Sequence, residues 1–570
     1  MKKLTILIMS MLLSAPLFAQ IDPTVVVDRD YEGQIDVDVR MPETEIFVAD
    51  SLKKFDVSFD YSIFDRPFRD LYEFSPYQAA SLGVVPLSAV PHFSARVASQ
   101  YPLMPEVDLY GQLVPKNNRN FNIGMFVKYA SEMGKVPSMN KIVDALDTRR
   151  TRMTAGANFK FAWDKGELTF DGAYRHSYAK DKFAYSNLLT YGITDSFHID
   201  TRDSAKHSVN AVELGFKIRS TDVKDHDFYY DIDASFVRTS KALEFMKGED
   251  NTPFAESVMN IDALFGSSFE EHRMYVDVRS QNNWYSYPEG CYIGIIEFAP
   301  IYRYTKGRFD GRFGIRFSNS FSGDNSTSIY PDVDAKLVLW ENKLWMRGVV
   351  NGGRSIDNLG VYLENAPWVV ATGSAYPQEG EDSDFRMRYT TRPIDSKLSI
   401  EGIIGSRLGL NVYGTYTAYK DKLQLYTSHF LWSMLPYLYP EFVNYAKLSA
   451  GIELTWTSKD LRVFTSVQGN KYNSEATLYM LPKIESLSQI EYNFRERLFL
   501  STALVIQGAR DSQMGQVPTY IDLSAKAEFK VNRFFSAYVK GGNLLNKENY
   551  IYADIARMPF NIGGGICIDF

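Results

Sequence analysis

Cysteine is nearly absent from this chain. Cys291 and Cys567 are the only two in 570 residues, so no disulfide framework holds it together. Both sit in strand-like runs, where they read as small packing residues. No run of 18 or more apolar residues occurs beyond the N-terminus, which excludes a transmembrane helix. Basic charge is not in surplus: 62 Lys and Arg stand against 69 Asp and Glu, a net charge of −7. A general nucleic-acid binder would carry a basic footprint instead. The chain also lacks a G-x-S-x-G elbow, an H-E-x-x-H helix, a P-loop and any paired-cysteine motif. The seven histidines, among them His176, His207, His272 and His429, are scattered. His92 and Ser94 lie close in sequence but have no third partner. The acidic run Glu379–Asp384 lacks the fixed spacing and glycine turn of a calcium loop and reads as solvated charge. Neither catalysis nor a metal or cofactor is expected. Helical periodicity is equally scarce, with one short candidate at Leu359–Trp368.

What the chain has is aromatic content, 37 Tyr and 38 Phe, and alternation. Its first 19 residues read as a secretory signal: Lys2 and Lys3, an apolar stretch from Leu4 to Leu13, then Ala19 before Gln20. From about residue 93 onward, apolar and polar residues take turns in runs of roughly ten. In Met153–Trp163, one face holds Met153, Ala155, Ala157, Phe159, Phe161 and Trp163, and the other holds Thr154, Asn158 and Lys160. A side-chain period of two is a strand with one wet face. The turn Asp164–Glu167 follows, and the alternation resumes at Leu168.

Counting such runs gives about 22 strands, an even number of the kind found in bacterial outer-membrane barrels. They start near residues 93, 107, 120, 152, 168, 206, 226, 256, 271, 290, 308, 328, 343, 394, 407, 443, 460, 485, 497, 518, 533 and 560. Short connections such as 164–167, 305–308 and 457–460 alternate with long ones at 131–150, 179–204, 240–254, 352–393, 428–442, 471–484 and 544–558. This sorting is expected of a transmembrane up-and-down antiparallel β-barrel, with tight turns in the periplasm and long loops outside. The segment 407–427 is longer than one membrane crossing needs. Three domains are therefore expected: a signal peptide at 1–19, a periplasmic or lumen segment at 20–92, and a barrel at 93–570. Both termini would be periplasmic and the barrel would sit in outer-membrane lipid. Arg273, Asp277 and Arg279, then Arg308, Asp310, Arg312 and Arg316, then Lys526, Glu528 and Lys530 take the wet face, where mixed signs favour cross-strand ion pairs.

Two stretches carry a resemblance. "GGNLLNKENY" (Gly541–Tyr550) is similar to the segment preceding the last strand in the TonB-dependent receptor superfamily of Gram-negative outer membranes, and the final strand ends on Phe570 as theirs do. The resemblance covers roughly 93–570. Those receptors place a long folded plug before the barrel, whereas residues 20–92 are too short and too charged for that plug. The N-terminal "PTVVVDRDY" resembles instead a plug-less branch common among Bacteroidetes. Within it, Pro23, Thr24, Val25, Val26 and Val27 are similar to a TonB box, a peptide that adds a strand to its partner's sheet; β-branched residues favour that extended pairing. The alternative is a strand that pairs elsewhere. In the last strand, Ile562, Ile566, Ile568 and Phe570 take the lipid face, and the terminal aromatic resembles the signal read by the barrel-assembly machinery.

The resemblance implies a transport pore or receptor, or the channel member of a larger complex with an outer-membrane lipoprotein. The alternative is a non-transporting scaffold whose external loops bind protein. A barrel this wide would leak if empty, so residues 20–92, inward-folded loops such as 352–393, or a partner must fill it.

Overall fold

The computed structural model describes residues 93–113, 120–139, 145–183, 204–221, 227–243, 254–286, 291–321, 326–341, 343–369, 387–405, 407–429 and 436–569. The strands run β1 (Phe93–Tyr101), β2 (Glu106–Leu113), β3 (Phe121–Pro137), β4 (Ala145–Trp163), β5 (Gly166–Phe183), β6 (Ser204–Ser220), β7 (Phe228–Leu243), β8 (Phe254–Phe269), β9 (His272–Tyr285), β10 (Tyr292–Lys306), β11 (Phe309–Phe321), β12 (Thr327–Trp340) and β13 (Leu344–Ile356). Helix α1 (Leu359–Asn365) follows. Then come β14 (Tyr389–Ile404), β15 (Leu408–His429), β16 (Pro436–Thr457), β17 (Leu461–Asn473), β18 (Ile484–Phe494), β19 (Leu498–Gln507), the small pair β20 (Arg510–Ser512) and β21 (Gly515–Val517), β22 (Tyr520–Lys530), β23 (Phe535–Gly542), a second small pair β24 (Tyr550–Tyr552) and β25 (Ile555–Ala556), and β26 (Asn561–Asp569).

Leaving out the two small pairs, the described strands form one 22-stranded sheet. Each pairs antiparallel with the next, and β26 closes the ring on β1 from Ser94↔Asp569 to Tyr101↔Ile562. Closure leaves no open edge, the condition for a sheet to stand in hydrocarbon. The side-chain alternation sets the faces. Exposed Phe170, Val212, Phe313, Ile315, Leu398, Val412 and Leu448 point outward, while buried Glu213, Asp277, Arg316, Asp332, Ser399 and Ser449 point inward. No described helix is long and apolar enough to cross a membrane. Both cysteines are free; Cys567 is buried on the inner face of β26.

The wall is uneven. Strands β23, β26, β1 and β2 have 8 or 9 residues, whereas β15 and β16 have 22 each. At a rise of about 3.4 Å per residue, the β15–β16 hairpin is roughly twice as long as a hydrocarbon crossing requires. A bulge between Tyr419 and Lys422 lets it bend part-way up.

The long-loop end corrects the sequence reading. The expected connection 131–150 is largely strand: β3 and β4 pair as far as Pro137↔Ala145. Likewise β16 begins at Pro436, inside the expected loop 428–442. Here the outward face carries Lys135, Asp147 and Arg149 instead of apolar residues, so the pairing continues without the alternation while Val136 and Leu146 stay buried inside. Arg308, expected on the lumen face, sits in the turn between β10 and β11 and reaches Glu341 at 3.3 Å.

Candidate functional site: a sealed lumen

The connection from β13 to β14 folds into the barrel. Its described part, residues 357–369, crosses the lumen as a strap. The helical period at Leu359, Tyr362 and Leu363 supplies one apolar face to α1, and that face needs a wall. It finds one: Leu359 and Leu363 are 1% and 0% exposed, in a cluster with Val209, Phe254, Tyr285, Ile293, Ile356, Trp368, Val369 and Leu438. The loop between β23 and β26 joins the same cluster through Tyr550, Ile551, Ile555, Ala556 and Met558. An open water channel would leave these side chains wet. Their burial makes the long-loop half of the lumen a dry seal.

Polar anchors from the wall fix the strap. At its start, Asp357 accepts from Lys422 at 2.7 Å, Thr390 at 2.6 Å and the Leu423 amide at 3.2 Å. The first turn of α1 has unpaired N–H groups, as every helix does. Asn358 makes no side-chain cap, so the carboxylate of Glu256, on β8, takes the Leu359 amide at 3.2 Å and the Gly360 amide beside it. Asn358 is held by Gln281 and Asn283 of β9 at 2.9 and 3.0 Å. In mid-strap, Glu364 pairs with Arg175 at 2.6 Å, and Arg175 also pairs with Glu213.

The far end of the strap rests on cations that hold neutral carbonyls. Lys241 donates to the carbonyls of Pro367 and Val369 at 2.6 and 2.5 Å, and Arg152 donates to that of Asn365 at 3.3 Å. The Trp368 indole N–H donates to Asp181, with the Arg150 guanidinium 4.8 Å from its ring centre. Leu438, on β16, then donates its amide to the Trp368 carbonyl at 3.1 Å and bridges Val369. Strands β5 and β16 hold the fifth and sixteenth places in a ring of 22, half-way round from each other. Trp368 and Val369 thus join β5 to the tip of the β15–β16 hairpin, beyond its bulge.

The turn-end half of the lumen is polar, with Arg316 at the hub of its ion pairs. Arg316 meets Asp277 at 2.9 Å, Asp332 at 2.6 Å and Glu297 at 3.3 Å. Arg279 adds a pair to Asp277 at 3.0 Å, and Arg312 adds one to Asp332 at 3.1 Å. Arg303 pairs with Asp310 at 2.5 Å, and Lys526 with Glu528 at 2.7 Å. The expected cross-strand ladder is present, and its hub ties β11 to three other strands.

Of the residues singled out in sequence, Ile562 and Ile566 face outward at 46% and 42% exposure, and Ile568 shares their face. Phe570, Pro23, Thr24, Val25, Val26, Val27, His92 and Glu379–Asp384 lie outside the described residues. Ser94 donates to Asp569 at 2.7 Å, pinning the closing seam. Sequence reasoning missed Glu256, Lys241, Arg175, Asp181 and Trp368 as a set. The one available signal was the helical period at 359–368, which demanded an apolar wall without saying which strands supply it.

No protein-family profile matches the chain, and no curated protein matches it. Solved structures do. The siderophore receptor PirA from Acinetobacter baumannii superposes with a TM-score of 0.61 at 12% identity, over 84% of this chain and 80% of that one. The ferric yersiniabactin uptake receptor FyuA from Yersinia pestis gives 0.60 at 13%, over 85% and 80%. The copper transporter OprC gives 0.59 at 8%, over 84% and 82%. At these identities the likeness is one of fold alone.

Proposed function

We propose that this chain is an integral outer-membrane transport barrel of the TonB-dependent receptor type, from a plug-less branch, whose pore is closed by its own loops. The polar lumen of a 22-stranded ring carries this reading because it serves passage, and the inward-folded strap supplies the closure that a barrel this wide needs if it is not to leak. The fold shared with receptors and a copper transporter supports it, as does the signal-like N-terminus. In this reading the short turns and both termini lie in the periplasm, and the strap faces outward. Residues 20–92 form the periplasmic segment, and Pro23–Val27 offer an edge strand to TonB. The barrel-assembly machinery reads the final strand through Phe570, and an outer-membrane lipoprotein is the natural partner for solute capture.

The test pairs deletion of Pro23–Val27 with binding to the periplasmic domain of TonB and with solute uptake by cells. Loss of both supports energised transport. Unchanged uptake and binding would remove TonB coupling. A barrel that takes up no solute yet brings stoichiometric protein partners through mild detergent would instead be a scaffold.

A further inference from the structure

The strap differs from the wall in how it is held. Outside α1 it forms one bridge to a strand, Val369↔Leu438, whereas each wall strand is laddered along its length. Its far end is held largely by side chains: Lys241 on the carbonyls of Pro367 and Val369, and Trp368, whose indole stands between two charges. The indole N–H engages one Asp181 oxygen, while the guanidinium of Arg150 lies over the ring. The other Asp181 oxygen, Oδ1, is buried with no hydrogen-bond partner among the described residues, and so is Arg150 Nε. Arg150 spends one nitrogen, at 2.6 Å, on the carbonyl of Ala556 in the second inward loop.

The register shows what these two charges could do. Thr148 pairs with Asp181 and Arg150 pairs with Ala179, so Arg150 and Asp181 are diagonal neighbours on the inner face of β4 and β5. Such neighbours lie about 7–8 Å apart and within reach of a long side chain. In the closed lumen, Trp368 occupies the space between them. With Trp368 withdrawn, the two unsatisfied groups can meet in a charge-assisted pair. Each state thus has its own partner set, which is what makes an element two-state rather than merely loose.

We propose that residues 357–369 are the gate of the lumen, that Trp368 is its latch, and that the Arg150–Asp181 pair forms on release and holds the open state. The proposal rests on the transport reading, since a gate needs a path to close. Arg150 also touches the second inward loop, through the carbonyl of Ala556.

Conductance of the full-length barrel in planar bilayers tests this, with heat-modifiable migration confirming that each variant is folded. Trp368→Ala should raise the open fraction by at least about tenfold, the factor carried by one charge-assisted hydrogen bond. Trp368→Phe keeps the bulk but loses the indole N–H, and should raise it less. Adding Arg150→Met to either should return most of that gain. A Trp368 variant that stays as closed as the parent overturns the latch, and a double variant as open as the single one overturns the Arg150–Asp181 pair. A chain with residues 358–369 replaced by a Gly-Ser linker separates the two failures. If it conducts while the Trp368 variants do not, transport stands and the latch falls. If it too stays closed, the lumen has no path there and both fall.

Discussion

Replacing Arg316 with Met should destabilise the barrel strongly. The side chain is 6% exposed, and its partners Asp277, Glu297 and Asp332 are 7%, 9% and 6% exposed. Three cations, Arg279, Arg312 and Arg316, balance these three carboxylates. Methionine keeps the stem and removes one charge. Asp277 keeps Arg279, and Asp332 keeps Arg312. Glu297 keeps a hydrogen bond from the Arg354 amide at 3.0 Å but loses its cation. Stripping one partner from a buried ion pair costs about 3–5 kcal/mol, a factor of roughly a hundred to several thousand in the folded-to-unfolded ratio. Urea unfolding in lipid vesicles, followed by loss of the heat-modifiable band, should show the midpoint fall. The location of the deficit is also testable. Adding Glu297→Gln should recover much of it, because an amide needs no cation. Adding Asp334→Asn should recover nothing, because Asp334 pairs with Arg347 instead. An unchanged midpoint for Arg316→Met, or equal recovery by both second changes, would refute the hub.

Two further outcomes concern the closing seam. A Cβ at Gly563 would lie 2.1 Å from the Ser99 carbonyl oxygen and 2.4 Å from the Gln100 Cα, so Gly563→Ala must push β26 off β1. It is expected to lower the yield of folded barrel, whereas Gly111→Ala on β2, where a methyl meets nothing within 4 Å, should leave the yield at the parent level. Phe570→Ala is expected to reduce assembled barrel more than it reduces synthesis, as a change in an assembly signal would; equal heat-modifiable barrel in mutant and parent would rule that role out.

The strand starts show where the sequence speaks clearly. Strands that begin at the turn end start within two residues of the expected positions, as at Phe121, Gly166, Phe228, Phe309 and Phe535. Of the eleven strands that begin at the long-loop end, eight also start within two residues, and three depart further: β4 starts at Ala145 against 152, β14 at Tyr389 against 394, and β16 at Pro436 against 443. At the turn end, a Gly, Asp or Asn turn abuts an alternating run, and both signals stop at one place. At the loop end the hydrocarbon stops first. Pairing continues past it, where the outer face need not be apolar, and the outward half of the pattern disappears while the ladder persists.

Alternation by itself determined that this chain is a closed barrel of about 22 strands, which side chains face lipid, and that the lumen is charged. A period of two can specify this because lipid and water impose opposite demands on successive residues. Only the tertiary structure decided what fills the lumen. Arg316 finds its partners on β9, β10 and β12 through strand register, which local composition does not encode. The strap from Asp357 to Val369 meets β4–β9 through side chains of the wall and β16 through the tip of the long hairpin, contacts far apart in sequence that only the folded chain sets up. The helical period of Leu359–Trp368 required a wall; the curvature of the whole sheet chose which one.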